Sequence, residues 1–175
     1  MSELSIEGVG KVFPAQGSGQ PTRALSPTTL SVGDNDFITI LGPSGCGKST
    51  LLRIIGGLET ASEGKIMLDG VPVAGPGADR GFVFQSYTLF PWLSVIENIA
   101  FGLREKGMPE RERLELARDW AGRVGLGGFK EHFPKQLSGG MQQRTAIARA
   151  LANDPKILLL EIGRASWRER VCSTV

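Results

Sequence analysis

Gly42-Pro43-Ser44-Gly45-Cys46-Gly47-Lys48-Ser49 has the spacing G-x-x-x-x-G-K-[ST], with Thr50 directly after it. Each residue type answers a need of phosphate chemistry. Glycines let the backbone wrap closely around phosphate oxygens. The amides of such a loop and of the helix that follows then point at the anion. Lys48 is expected to reach the β- and γ-phosphates, Ser49 to ligate Mg²⁺ through its hydroxyl, and Thr50 to donate a further hydrogen bond. The alternative is a glycine-rich turn with a chance lysine, which the flanking elements disfavour. Cys46 has two readings: a redox-sensitive thiol, or a small residue at a variable loop position.

Those flanking elements are a strand before the loop and a helix after it. Phe37 to Leu41 is a short continuous apolar run, the pattern of a strand buried on both faces of a parallel sheet. Lys48 to Gly57 reads as a helix. Upstream, Leu4–Phe13 and Arg23–Val32 alternate with β-branched and aromatic residues and read as antiparallel strands around the loop PAQGSGQPT. Lys65–Leu68 and Gly81–Phe84 are further short strands. Pro109–Val124 is a helix, with Glu110 and Glu112 in its first turn and Leu114, Ala117, Ala121 and Val124 on one stripe. Ser138–Ala152 is another, with Ile147, Ala150 and Leu151 as expected core contacts and Asn153-Asp154-Pro155 as its stop. Ile157–Leu160 is a second fully apolar strand candidate. The pattern is α/β, with an antiparallel β subdomain in front, a parallel core sheet, and a helical insert between about residues 90 and 150.

The bulk numbers agree with a single globular domain. There are 175 residues, 41% of them apolar, and the formal net charge is +2. That balance argues neither for nucleic acid nor for an anionic membrane surface as a partner. No run approaches the roughly 18 apolar residues of a membrane span, and the opening residues carry no signal-peptide pattern. Cys46 and Cys172 lie far apart, so a disulfide is not expected and a reducing compartment fits.

A second constellation, Leu137-Ser138-Gly139-Gly140-Met141-Gln142-Gln143-Arg144, opens a helix. Alone, the serine is a good N-cap and nothing more. Downstream of the phosphate loop it closely resembles the signature sequence of ABC ATPases, over residues 1 to about 160. The resemblance implies a P-loop ATPase that works as a homodimer with ATP and Mg²⁺. One subunit's Gly42–Thr50 would hold the triphosphate. The partner's signature, Leu137 to Gln142, would cover the γ-phosphate through the Ser138 hydroxyl and the Gly140 amide. It further implies that Gln85, with Ser49, touches Mg²⁺ and the attacking water. Phe13 falls where the family stacks an aromatic on adenine, the alternative being a core phenylalanine in a strand.

The stretch from Gly75 to Leu103, with Gly75-Pro76-Gly77-Ala78-Asp79-Arg80-Gly81 and Leu89-Phe90-Pro91-Trp92, is similar to the ATPases of taurine, alkanesulfonate and nitrate importers. This implies a peripheral subunit on the cytoplasmic face of the inner membrane, bound to a permease and served indirectly by a solute-binding protein. Phe90 and Trp92 would then be half-exposed contacts for the permease, or else would pack the helical insert. The compact stretch between Gln85 and Leu137 leaves no room for the long coiled coil of DNA-repair relatives, so a non-transport ATPase is the weaker alternative.

The sequence departs from the family after Leu160. An Asp-Glu pair is expected there; Glu161 stands at the Mg-carboxylate position and Ile162 at the general-base position, where it cannot accept a proton. No downstream switch histidine follows, and His132, the single histidine, is expected to be a solvated loop or helix residue. The tail from 161 to 175 resembles adapter or vector read-through and not family sequence. The expectation is an incomplete core sheet, poor stability and no turnover, so that an inactive nucleotide-binding fragment is the other reading of the polypeptide.

Overall fold

The computed structural model describes residues 3–161 apart from Gln16 and Ser18. It divides into two compact units, residues 1–77 and 78–175. The architecture is mixed α/β, with one antiparallel and one parallel sheet.

The first unit holds β1 (Leu4–Phe13), β2 (Thr22–Val32), α1 (Lys48–Ile55), β3 (Glu63–Leu68) and β4 (Val71–Pro72). The sheet order is β2-β1-β3-β4, antiparallel throughout. Leu4, Ile6 and Val9 of β1, Leu25 of β2, and Ile66 and Leu68 of β3 are buried. Leu51, Ile54 and Ile55 form the buried stripe of α1, at the i, i+3, i+4 spacing of one helix face. Gly56 ends that helix.

One expectation is overturned here. Residues 37–41 form no strand, and Phe37 and Leu41 are 88% and 77% exposed. A run apolar on both faces is stable as a strand only when partners flank it and satisfy its backbone groups. Among the described residues this run pairs with no strand.

The second unit runs β5 (Arg80–Val83), α2 (Val95–Glu105), α3 (Glu110–Arg123), α4 (Gly139–Leu151) and β6 (Ile157–Leu160), with 3-10 turns at Gly127–Phe129 and Pro134–Gln136. β5 and β6 pair in parallel, Arg80 opposite Ile157 and Val83 opposite Leu160. They make a two-stranded piece of sheet. Two cores flank α4. One joins Val95, Ile99 and Leu103 of α2 to Ala117 and Ala121 of α3 and Ala148 of α4. The other sets Ala146 and Ala150 of α4 against Val83. Burial on both sides explains why the small residues of α4 are the buried ones, while Ile147 and Leu151, expected in the core, are half-buried.

α2 is a helix that the sequence reading did not resolve. Its start is fixed by a reciprocal cap: Glu97 N–H donates to Ser94 Oγ (3.4 Å) and Ser94 N–H donates to Glu97 Oε2 (2.7 Å). Asn98, fully buried, ties the preceding turn to the helix. Its amide donates to the carbonyls of Phe90, Leu93 and Ser94, and its Oδ1 accepts from Phe90 N–H.

Candidate functional site

Gly45 and Gly47 take left-handed backbone, φ +82° and +95°. That turns the chain back on itself just before α1. At Gly47 only glycine fits for a second reason: a Cβ would lie 2.5 Å from the Ala24 carbonyl oxygen of β2. Gly45, Gly47, Lys48, Ser49 and Thr50 line, with Ala24, a concavity of about 280 Å³. Lys48 Nζ donates to the carbonyls of Gly42 (2.8 Å) and Pro43 (2.6 Å). It also stands 3.5 Å from Cys46 Sγ. Gly42, Pro43, Ser44 and Cys46 are exposed on the loop.

The donor set fits a polyphosphate. It offers an ammonium, two hydroxyls and the unpaired amides of a helix start, all at the positive end of α1. The hydroxyl of Ser49 is a hard oxygen of the kind Mg²⁺ takes, alongside phosphate oxygens and water. Among the described residues no group of three or more His, Cys, Asp or Glu side chains could hold a metal alone.

Phe13 ends β1 and is 39% exposed, so it is not the core phenylalanine of the alternative reading. Lys11 Nζ stands 5.0 Å from its ring centroid. That lysine is itself fixed by Glu59 Oε1 and the Thr60 carbonyl, both at 2.7 Å. The Lys11 hydrogen bond holds the Glu59 carboxyl below its ordinary pKa.

In the second unit, Gln85 is exposed in a turn that follows β5 and is closed by Tyr87 N–H on the Phe84 carbonyl. Glu161 continues the parallel ladder, its N–H on the Val83 carbonyl at 2.9 Å. Gln85 and Glu161 therefore leave the same, carboxyl end of a parallel strand pair, the end where α/β folds bind ligands. Ile162, at the expected base position, and the tail beyond it lie outside the described residues, as does Cys172.

Ser138 caps α4, its Oγ accepting from Met141 N–H at 3.3 Å. Ser138, Gly139 and Gly140 are exposed and Met141 is half-buried. Gln142 is anchored on the carbonyls of Pro134 and Leu137, and Leu137 is buried. The exposed helix start thus stands on a fixed base. His132 is a loop residue, half-buried, with its ring edge-on to Phe129.

Phe90 packs on Phe101 of α2 with centroids 4.3 Å apart, as the packing alternative had it, while Trp92 is 69% exposed. Two residues near this turn escaped the sequence reading. One is Asn98. The other is Arg149 in the last turn of α4. It donates from Nη1 to the Thr88 carbonyl (2.9 Å) and from Nη2 to the Tyr87 carbonyl (3.2 Å), and lies over the Phe90 ring. Burial lowers its pKa, a desolvation cost that the two carbonyls offset. No local pattern marked it, because its partners lie some sixty residues upstream.

The sequence profile of the ABC transporter family matches residues 25–161, most of the chain. The chain belongs to the ABC transporter family and carries its ATP-binding domain. An uncharacterized ABC transporter ATP-binding protein of Methanocaldococcus jannaschii is 55% identical over 91% of this chain and 59% of its own length. The taurine import ATP-binding protein TauB of Burkholderia pseudomallei is 49% identical over 92% of this chain and 61% of its own. The nitrate import ATP-binding protein NrtD of Synechocystis is 47% identical over 90% of this chain and 59% of its own. The chain thus spans about three fifths of the length of these relatives. Among solved structures, a dimer of the ATP-binding cassette MJ0796 bound to ADP and Pi is similar, with a TM-score of 0.81. It is 38% identical over 90% of this chain and 72% of that one.

Proposed function

We propose that this chain is part of an ATPase subunit that powers import of a small anionic solute, of the sulfonate, taurine or nitrate kind, through a membrane permease. The observation that carries the reading is the loop of Gly45 and Gly47 ahead of α1, with Lys48 Nζ poised over it. Residues Gly42 to Thr50 bind the triphosphate of ATP, and Lys48 exchanges its two carbonyl partners for phosphate oxygens. Phe13 offers a ring face to the adenine. Ser49 would hold Mg²⁺ on this chain, the family resemblance assigns Gln85 to the same ion, and the ion would supply neutralisation of phosphate charge. Ser138 and Gly140, at the exposed start of α4, close over the nucleotide of a second copy, so that ATP joins a two-fold dimer. Trp92 and its turn meet the permease. Its place in this reading is peripheral, on the cytoplasmic face of the membrane; among the described residues no helix is long and apolar enough to cross a membrane. A solute-binding protein would deliver the solute from the other side. The formal net charge of +2 does not argue for a nucleic-acid partner.

A second reading applies to this polypeptide taken literally: a nucleotide-binding fragment without turnover. Ile162 favours it, because an apolar side chain at the base position takes no proton. Titration with Mg-ATP, followed by phosphate release, tests both readings. Binding that Lys48→Ala weakens by about 10-fold or more supports the nucleotide site. Absence of binding to the parent chain counts against it, and turnover abolished by Lys48→Ala excludes the inert fragment.

A further inference from the structure

Tyr87 and Thr88 follow Gln85 by two and three residues, and both take left-handed backbone, φ +60° and +44°. Neither is glycine, and Thr88 is β-branched, so the conformation is strained and must be held from outside. Arg149 holds it. Its guanidinium spans the Tyr87 and Thr88 carbonyls, a third contact reaches Thr88 Oγ1 at 3.4 Å, and the Phe90 ring lies 5.5 Å away. At the other end of the same helix, the Tyr87 hydroxyl oxygen stands 4.0 Å from where a Cβ of Gly139 would be. Tyr87 is therefore tied to α4 by its carbonyl near the last turn and approaches the first turn with its hydroxyl.

We propose that Arg149 is the positioning residue of the Gln85 turn: from the last turn of α4 it fixes the backbone after Gln85 and links that turn to the helix that begins at Ser138. The role of that link in catalysis rests on the nucleotide reading of Gln85 given above. A planar fork of donors is needed to bridge two successive carbonyls, so lysine is a poor substitute. Because α4 is a continuous helix of 13 residues, about 20 Å long, a tilt at its exposed start moves Arg149 and the turn it grips.

Hydrogen exchange in the 175-residue chain tests the clamp. The Tyr87 and Thr88 amides donate to Phe84 and Ser86 carbonyls, so their exchange reports the turn directly. In Arg149→Lys these two amides should exchange about 10-fold faster, and in Arg149→Met faster still, with the amides of Ile99 and Leu103 unchanged. Unchanged rates at Tyr87 and Thr88 overturn the proposal. So does an equal acceleration along α2, which would mean general loss of packing. Should the Arg149 variants fail to fold, Phe90→Leu removes the ring under the guanidinium and leaves α4 intact. The same two amides should then exchange about threefold faster, and an unchanged rate overturns the clamp. Mg-ATP affinity, read in parallel, should stay within about twofold in Arg149→Lys. Absence of Mg-ATP binding to the parent chain overturns the nucleotide role of Gln85 and leaves the clamp itself standing.

Discussion

Gly47 stands directly against Ala24: a Cβ at residue 47 would lie 2.5 Å from the Ala24 carbonyl oxygen, at a backbone φ of +95°. The start of α1 is thereby fixed against β2 by two constraints that only glycine meets together. Gly47→Ala should cost about 2 kcal/mol or more of stability and should weaken Mg-ATP binding at the same time. Chemical denaturation and nucleotide titration on the same preparation check the pair of effects.

Lys48 behaves differently. It is half-buried and rests on two carbonyls of an exposed loop. Lys48→Ala should leave the unfolding midpoint within about 0.5 kcal/mol of the parent while nucleotide affinity falls. A large loss of stability would instead make the lysine a structural brace.

Asn98 offers the reverse case. Fully buried, it serves four backbone partners in the turn that carries Phe90 and Leu93. Asn98→Ala removes the side-chain partner of the Phe90 N–H and of the Leu93 carbonyl and should destabilise the chain by about 2–4 kcal/mol, with Trp92 fluorescence shifting as its turn loosens. An unshifted spectrum would show that the turn stands without it.

The Lys11–Glu59 pair predicts an acid-sensitive contribution. The folded pKa of Glu59 is lowered, so the pair's stabilisation is complete above the ordinary glutamate value of 4.5 and fades as pH falls through the lowered one. Glu59→Gln should therefore be less stable than the parent at neutral pH, with the gap narrowing as pH falls below 4.5. Thermal unfolding across that range decides the sign.

The exposed run at 37–41 is an aggregation liability. Phe37→Ser combined with Leu41→Ser should reduce light scattering on heating without changing the far-ultraviolet circular dichroism. The parent chain is expected to unfold over a broad interval; a sharp cooperative transition would contradict that.

Much of this was legible along the chain. The limits of β1 and β6 matched the alternating and apolar runs, and α3 followed its acidic first turn and its stripe at Ala117 and Ala121. The loop before α1 and the Ser138 helix start were readable as local structure because glycine, lysine and serine at fixed offsets serve local backbone geometry. The cap between Ser94 and Glu97 was equally local, and its S-x-x-E spacing was the overlooked signal for α2.

What the tertiary structure alone decided concerns partners distant in sequence. Residues 37–41 have strand composition but no strand, because a ladder needs a neighbour that the segment cannot supply from itself. β3 became a member of the antiparallel sheet through its pairing with β1. Arg149 found Tyr87 and Thr88 some sixty residues away, which no periodicity announces. A helix satisfies its hydrogen bonds within four residues and so is written locally; a strand or a guanidinium clamp is completed by whatever the folded chain brings beside it.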